Sequence, residues 1–341
     1  MKDMADMDAG HARLKELWRR GTDFLGCEHA ILGGAMTWVS ERNLVSAISN
    51  AGGFGVLACG GMPPDVLAAE IEATRGMTDK PFGVNLITLH PDLDRLIDVC
   101  REQSVEHIVL AGGLPSGPSI AKIKDFGAKL TCFAPMVMLG KKLVRLGVDA
   151  LVIEGTEAGG HIGPVSTSVL AQEILPVIRD VPVFVAGGIG RGDAIAAYLE
   201  MGASGVQLGT RFVVAEECIA HEKFKMAFIR GKARDAVAST QIDPKFNVIP
   251  VRALRNQATA DFMVTQRDVI EQYHDGSLSQ DDAQMKIEHF WGGALRRAVQ
   301  DGDIESGSLM AGQSVGMVKR EEPAADIINE LIIQAAAHLS H

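Results

Sequence analysis

The sequence predicts an α/β fold of the TIM (β/α)8 barrel class, extended by a mainly helical C-terminal cap region. Over the first two thirds of its 341 residues, eight short β-rich apolar segments alternate with seven amphipathic helical stretches. The spacing of about 25 residues suits a closed parallel barrel better than an open doubly wound sheet. Five of the eight strand segments end in Gly, Cys or Pro, and these residues mark the carboxyl-terminal rim, where such barrels keep their chemistry.

The predicted strands are short apolar runs in chain order. They cover residues 30–35, 54–59, 81–87, 107–112, 129–135, 150–155, 182–188 and 204–210. Between them, apolar residues recur at three- and four-residue steps, which indicates helices with one buried face. These helical stretches cover residues 40–53, 64–76, 91–103, 117–127, 140–147, 168–180 and 192–202.

The pattern changes after residue 211. Four further helical stretches are predicted at residues 216–237, 251–276, 278–302 and 323–341. We therefore divide the chain into an N-terminal helix, a barrel, and a helical cap with C-terminal elements packed on the barrel. These three parts are residues 1–24, 25–215 and 216–341, and the first is expected to plug the barrel bottom.

Composition excludes several classes of function. A net charge of −10 without a long basic run argues against a nucleic-acid partner. No segment reaches the roughly 18 uninterrupted apolar residues of a membrane span, so we expect a cytoplasmic protein without a membrane partner. The five cysteines and ten histidines show neither CxxC nor HExxH spacing, so no metal site or disulfide framework is predicted.

Two glycine-rich turns follow the seventh and eighth predicted strands. Gly187 and Gly188 lie in "VAGGIG", and Gly209 and Thr210 lie in "QLGTRF". In barrels of this class the corresponding turns cradle phosphate with free backbone N–H groups. These four residues are our predicted phosphate ligands, although glycines at strand ends can also serve turns alone.

Weaker sequence indications of a binding site lie at the ends of other predicted strands and in the C-terminal region. Gly34, Ala35 and Met36 follow the first strand and leave space for a flat ring system against the backbone, and Asn85 offers an amide at the third. A plain turn with a core methionine and a capping asparagine are the alternatives. From the C-terminal region, Ser308, Gln313 and Ser314 form either a polar pocket wall or a solvated turn.

His161 stands in "EGTEAGGHIG", directly after the sixth strand. A neutral imidazole can take a proton from carbon, and the neighbouring N–H of Gly160 can hold a developing oxyanion. We predict that His161 is catalytic, against the alternative of a structural histidine. Glu154 and Glu157 are left open between an acid partner of His161 and plain loop carboxylates.

Six segments together resemble the FMN-dependent barrels that comprise nitronate monooxygenase, formerly 2-nitropropane dioxygenase, and enoyl-ACP reductase II. They are "GGAMTWVS", "ISNAGGFGVLA", "FGVNL", "EAGGHIG", "VAGGIGRGDAIAAYLEMGASGVQLGTRFV" and "GSLMAGQ", and the resemblance spans about residues 25–320. It implies FMN phosphate on Gly187, Gly188, Gly209 and Thr210, and a flavin ring placed by Gly34, Ala35, Met36 and Asn85, with Gln207 and Gln313 as weaker contacts. Gly160 is a further predicted cofactor-binding residue. His161 matches the family's catalytic histidine, whereas Gly33 replaces the glutamine of the usual "QGGM" pattern.

The branch within this family is a separate question. We expect a nitronate monooxygenase that oxidises alkyl nitronates with molecular oxygen, because that reaction needs only a flavin, a base and an oxygen-accessible pocket. The alternative is an enoyl-ACP reductase II that uses NAD(P)H, to which "PVRALRNQ" and "KREEPAADII" look closer. A third alternative is a flavin- or phosphate-binding barrel without redox turnover.

The expected binding partners depend on the branch of the family to which the chain belongs. The expected partners are a nitronate or nitroalkane substrate and oxygen, and a homodimer is compatible with the sequence. Under the reductase alternative the chain also binds acyl carrier protein, whose acidic surface would need a local basic patch. The candidates for that patch are Lys122, Lys124, Lys141, Lys142 and Arg145.

Overall fold

Eight parallel strands close into a barrel, which confirms the predicted fold class. The computed structural model describes residues 2–246 and 249–340. The barrel strands, in order around it, are β1 (Ile31–Gly33), β2 (Phe54–Ala58), β3 (Gly83–Ile87), β4 (His107–Ala111), β5 (Lys129–Phe133), β6 (Ala150–Glu154), β8 (Val183–Ala186) and β9 (Gly205–Leu208). Closure comes from the pairing of β1 with β9, in which Leu32 lies opposite Gln207. Each of the eight predicted strands is present.

Helices cover the outside of the barrel, each between the two strands where its apolar periodicity predicts it. They are α3 (Arg42–Asn50), α4 (Pro64–Arg75), α5 (Leu93–Glu102), α6 (Gly117–Asp125), α7 (Val137–Arg145), α8 (Thr167–Ile174) and α9 (Gly192–Glu200). Local capping fixes where several of them begin. The Ser116 side chain, for example, accepts a hydrogen bond from the N–H of Ser119 at the start of α6.

The eighth helix of the ring is the last helix of the chain. α13 (Ala324–Leu339) buries an apolar stripe against α9 and α3, although the sequence division places it in the cap region. Contact with α9 is close, because a Cβ on Gly192 would lie 1.9 Å from the carbonyl oxygen of Leu331. The N–H of Gly192 also donates to the Gln334 side chain. Residues 209–323 are therefore an insertion between the eighth strand and the eighth helix.

Two N-terminal helices precede the barrel. α1 (Lys2–Leu17) packs along α13, and α2 (Arg19–Leu25) lies under the amino-terminal end of the strands. Phe24 of α2 meets the rings of His107 and Phe184, and its carbonyl oxygen accepts a hydrogen bond from Lys129. The element that closes the barrel bottom is therefore α2 and not the longer α1.

The insertion contains helices and two strands of a small sheet, whose third strand belongs to the loop after β6. Its helices are α10 (Glu222–Arg230), α11 (Gln257–His274) and α12 (Gln280–Arg296). β10 (Ala236–Ala238), β11 (Val251–Leu254) and β7 (Gly160–His161) form an antiparallel sheet in the order β10-β11-β7. The prediction of a helix from Val251 is wrong over its first four residues, because these pair with neighbouring strands instead of continuing into α11. Within the described residues, no helix is both long and apolar enough to cross a bilayer.

Candidate functional site

Three polar side chains point into the carboxyl-terminal mouth of the barrel. Leu151 faces the surrounding helices, since it lies beside Gly140 of α7, so the alternation of β6 turns Val152 and Glu154 inward. The register places Glu154 opposite Ala186, and Ala186 opposite Gln207. On the other side of the mouth, Asn85 is buried and donates its amide N–H to the carbonyl of Val109 at 3.1 Å.

The two predicted phosphate turns leave the sheet at its edge. Strand pairing ends at Ala186 in β8 and at Leu208 in β9, so the following backbone N–H groups lie beyond the ladder. Gly187 and Gly188 have φ of 95° and 75°, a left-handed conformation that other residues adopt at a cost. Successive N–H groups in such a turn can converge on an anion.

Thr210 completes this edge with a side chain. Its buried hydroxyl oxygen accepts a hydrogen bond from the N–H of Gly312 at 2.9 Å, which leaves the hydroxyl hydrogen available to donate. The same contact ties the turn after β9 to the glycine- and serine-rich segment of the insertion. The structure therefore brings Gln313, next in the chain, to the strand ends where the sequence predicts a pocket wall.

The turn after β1 lies against the turn after β9. Gly34 donates its N–H to the carbonyl of Leu208 at 2.8 Å, and a Cβ on Gly34 would lie 3.2 Å from the Gln207 side chain. Met36 approaches Gly209 in the same way, with its sulfur 3.3 Å from the position of an added Cβ. These predicted ring contacts are thus neighbours, and Ala35 and Met36 are half-buried among them.

Gly33, the departure from the usual glutamine, faces away from the mouth. An added Cβ would lie 2.5 Å from the Cδ1 atom of Ile48 in α3. The space next to this glycine is thus filled by an isoleucine, and a glutamine at position 33 would require Ile48 to move.

The loop that carries His161 is held by the insertion. His161 and Gly160 form β7, in which His161 pairs with Val251 and Gly160 with Arg252 of β11. Ile162 donates its N–H to the carbonyl of Pro250 at 2.9 Å. The His161 side chain is exposed on this sheet, at the edge of the mouth.

Arg252 fastens this loop with its side chain. Its Nε donates to the carbonyl of Thr156 at 2.8 Å and its Nη1 donates to the carbonyl of Ala236 at 2.5 Å, so one guanidinium bridges the His161 loop and β10. Burial lowers the pKa of Arg252 below its ordinary value, while the charge of Glu157 opposes that shift. Sequence reasoning missed this residue, since an arginine inside a predicted helix carries no positional signal.

Glu157 has a structural role. Its Oε2 accepts hydrogen bonds from the N–H of Thr167 at 2.9 Å and from the Thr167 hydroxyl at 3.0 Å, at the start of α8. Its own carbonyl accepts the N–H of Gln313 at 2.9 Å. Of the alternatives that the sequence left open for Glu157, the structure favours a loop carboxylate, here one that caps a helix.

Glu154 has the most perturbed carboxyl group of the mouth. Desolvation by burial raises its pKa to about 8. It has no hydrogen bond or ion pair with any residue in the described ranges. This shift favours the neutral carboxylic acid, the form that can donate a proton. The strand alternation in "ALVIE" places it on the face of Val152, and this alternation is the sequence signal for its inward position.

Two lysines of the predicted carrier patch lie towards the other end of the barrel. Lys122 and Lys124 stand in the last turn of α6, where they pair with Asp98 at 2.9 Å and Asp149 at 2.5 Å. Asp149 also accepts the N–H of Leu130 at the beginning of β5, which is the bottom of the barrel. These two lysines are neutralised and remote from the mouth.

Two cavities lie at different ends of the barrel. One of about 390 Å³ opens beside Gly188, between the start of α9 and Met317. Another of about 350 Å³ lies at the barrel bottom, among residues that include Arg20, Arg179 and Ser204. The first adjoins the phosphate turns, and the second is far from every predicted site residue.

The closed barrel and its glycine-lined mouth define a (β/α)8-barrel protein with a candidate anion site after its last two strands. The chain belongs to the nitronate monooxygenase family, whose model matches residues 19–103 and 91–334. It is therefore an oxidoreductase by family, which confirms the resemblance seen in the sequence.

Three similar proteins show the range of this family. A (3aS,4S,5R,7aS)-5-hydroxy-7a-methyl-1-oxo-octahydro-1H-indene-4-carboxyl-CoA dehydrogenase of Mycobacterium tuberculosis is 30% identical, over 93% of this chain and 96% of its own. A nitronate monooxygenase of Paraburkholderia phytofirmans is 28% identical, over 90% and 92%. The structure of FabK, an enoyl-ACP reductase II, from Thermotoga maritima is 37% identical over 92% and 94%, with a TM-score of 0.80.

Proposed function

We propose that this chain is an FMN-dependent oxidoreductase that reduces the carbon–carbon double bond of an enoyl thioester with NAD(P)H. This reverses the preference between the two branches that the sequence analysis expressed. The observation that carries the proposal is an apolar rim on one side of the barrel mouth.

The rim consists of Leu89, Leu114, Met136 and Met138, which follow three neighbouring strands, β3, β4 and β5. Their exposed fractions are 75%, 54%, 47% and 74%. The surrounding segments 85–91, 107–121 and 130–140 contain no charged residue, in a chain with 22% charged residues. Exposed apolar side chains at the ends of neighbouring strands, beside a site, favour an apolar ligand. An acyl chain needs such a surface, and a small nitronate does not.

The relatives support the same substrate class. The identity with FabK exceeds that with the nitronate monooxygenase, 37% against 28%. The Mycobacterium tuberculosis relative is named for a CoA thioester. Acyl carrier protein and CoA present their acyl groups on the same phosphopantetheine thioester, so we propose that this thioester is what the mouth accepts.

The residues at the strand ends fit FMN. The N–H groups after β8 and β9 and the free hydroxyl hydrogen of Thr210 would hold the phosphate, with Gly187, Gly188 and Gly209 leaving the backbone bare. Gly34, Ala35, Met36, Asn85 and Gln207 would hold the flavin ring, with Gln313 at its edge. When bound, FMN supplies hydride transfer between NAD(P)H and the substrate.

The protein's own contribution is orientation and hydrogen bonding. We propose that the imidazole of His161 donates a hydrogen bond to the thioester carbonyl, beside the N–H of Gly160, and so stabilises negative charge that develops on that oxygen. The β7–β11 pairing and Arg252 would fix this loop. The apolar rim would hold the acyl chain so that its double bond reaches the mouth.

A nitronate monooxygenase is the second candidate, because the family model and the Paraburkholderia phytofirmans relative carry that name. In that case His161 would remove or accept the proton next to the nitro group. Oxygen would then replace NAD(P)H as the partner.

Anaerobic flavin spectra of the purified protein distinguish the two candidates. Under the proposal, NADH or NADPH bleaches the bound flavin, and a long-chain enoyl-CoA or enoyl-ACP restores the oxidised spectrum. Bleaching by propyl nitronate with no response to NAD(P)H would instead establish the second candidate. A coloured protein that responds to neither would be a binding barrel without turnover. Unchanged turnover in a His161→Ala variant that retains FMN would remove His161 from the reaction.

A further inference from the structure

Reduction of a carbon–carbon double bond needs a proton as well as a hydride. The hydride equivalent comes from NAD(P)H and forms one new C–H bond at the β-carbon. The second C–H bond, at the α-carbon, needs a proton donor, and the proposed role of His161 at the carbonyl leaves that donor unassigned.

Glu154 occupies the place such a donor needs. It is the last residue of β6 and points into the mouth, level with Ala186 and Gln207 on the strands that lead to the phosphate turns. All eight barrel strands are described, and the other inward side chains at their carboxyl ends carry no titratable group. They include Asn85, Val109 and Gln207.

Among the described residues, none of the titratable groups on the neighbouring elements forms an ion pair with Glu154. Glu157 in the same loop caps α8, and Arg252 of β11 binds two backbone carbonyls. His161 lies on the exposed side of β7, and Lys129 of β5 reaches down to α2. No cation of the described part of the chain therefore pairs with Glu154, and burial raises its pKa to about 8.

From this placement we propose that Glu154 is the acid that protonates the substrate α-carbon, an inference that rests on the proposed function. The O–H bond of the Glu154 carboxyl breaks as the C–H bond at the α-carbon forms, and the electron pair for the new bond comes from the double bond that the hydride has reduced. The carboxylate that remains takes a proton from water before the next turnover. A carboxyl group whose raised pKa favours the neutral form suits this role, because that form can donate a proton in each cycle.

The test compares Glu154→Gln with Glu173→Gln, a matched control on the exposed face of α8. In Glu154→Gln, turnover with an enoyl thioester should fall about 10²- to 10⁴-fold, the usual contribution of a general acid. Flavin reduction by NAD(P)H and FMN affinity should stay at the level of the control. Wild-type turnover should decline as the pH rises past about 8, where Glu154 loses its proton, and the residual turnover of Glu154→Gln should lack this decline.

Infrared spectroscopy gives a second reading that needs no turnover. The wild-type protein at neutral pH, with or without FMN, should show a protonated carboxyl band that is missing in Glu154→Gln and present in Glu173→Gln. Turnover of Glu154→Gln within threefold of wild type, or an ionised Glu154 at neutral pH, would overturn the assignment. Wild-type protein that reduces no enoyl thioester would overturn the proposed function and the assignment together, and the infrared band would then show only that a neutral acid exists.

Discussion

Arg252→Met is the substitution that most directly tests how the His161 loop is held. It keeps the aliphatic stem but removes the guanidinium that donates to the carbonyls of Thr156 and Ala236. Hydrogen bonds from a charged donor contribute about 1.5–3 kcal/mol each, so two of them amount to roughly 3–6 kcal/mol. Relief of the buried guanidinium offsets part of this, and we expect the loop to lose about 2–4 kcal/mol of protection against opening.

Hydrogen exchange detected by mass spectrometry measures this loss of protection. Peptides covering residues 156–162 should exchange about 30- to 900-fold faster in Arg252→Met, because each 1.36 kcal/mol is a factor of ten. Arg255→Met is the control, since Arg255 is exposed and close by in the chain. If both variants exchange at the same rate in these peptides, then backbone pairing between β7 and β11 holds the loop by itself and our account of Arg252 is refuted.

Four further predictions concern stability and specificity. Glu157→Ala should cost about 1–2 kcal/mol in chemical denaturation, because the start of α8 loses its cap. Gly292→Ala should add about 0.5–1 kcal/mol, since it lies in α12 with nothing within 4 Å of an added Cβ, and a loss instead would show a crowded site. Burial, and secondarily the charge of Lys129, lower the pKa of His107 to about 4, so its neutral form is favoured in the folded state. Stability should therefore hold above about pH 6.5 and fall by up to about 3 kcal/mol between pH 6.5 and 4, and a His107→Gln variant should show a smaller fall in denaturation at the two pH values. Met138→Ser should raise KM for a long-chain enoyl thioester about fivefold, or roughly 1 kcal/mol of lost apolar contact, and leave KM for a short-chain one unchanged; equal effects on both would remove Met138 from the acyl site.

The barrel could be predicted because the sequence signals for its strands and helices are local. Each strand is a short apolar run between turn residues, and each helix has apolar residues at helical spacing, so the order alone implies parallel strands with crossovers. The position of α13, by contrast, depends on contacts with elements that are distant in sequence. Its stripe of apolar residues predicts a buried helix equally well in a cap or in the ring, and only the closure of the barrel leaves a place between α9 and α3 that α13 fills.

The small sheet was missed for a related reason. Val251–Leu254 contains three apolar residues in four, which suits a strand or the first turn of a helix. Pairing with β7, a two-residue strand about 90 positions earlier, determines that this segment is a strand. The glycine-rich sequence of β7 has little tendency to form a strand on its own. A pairing between two such weak segments is decided by tertiary contacts.

The distribution of residues between barrel and insertion explains why the sequence predicts an anion site more sharply than a substrate. The phosphate turns belong to the barrel, and their glycines stand at fixed places after β8 and β9. The histidine loop, by contrast, depends on Arg252 and on the segment around Gly312, both of which come from the insertion. A barrel of this kind can therefore keep the candidate anion site while residues 211–323 change. The branch of this family should accordingly be read from that insertion and from the apolar rim, and not from the glycines that define the family.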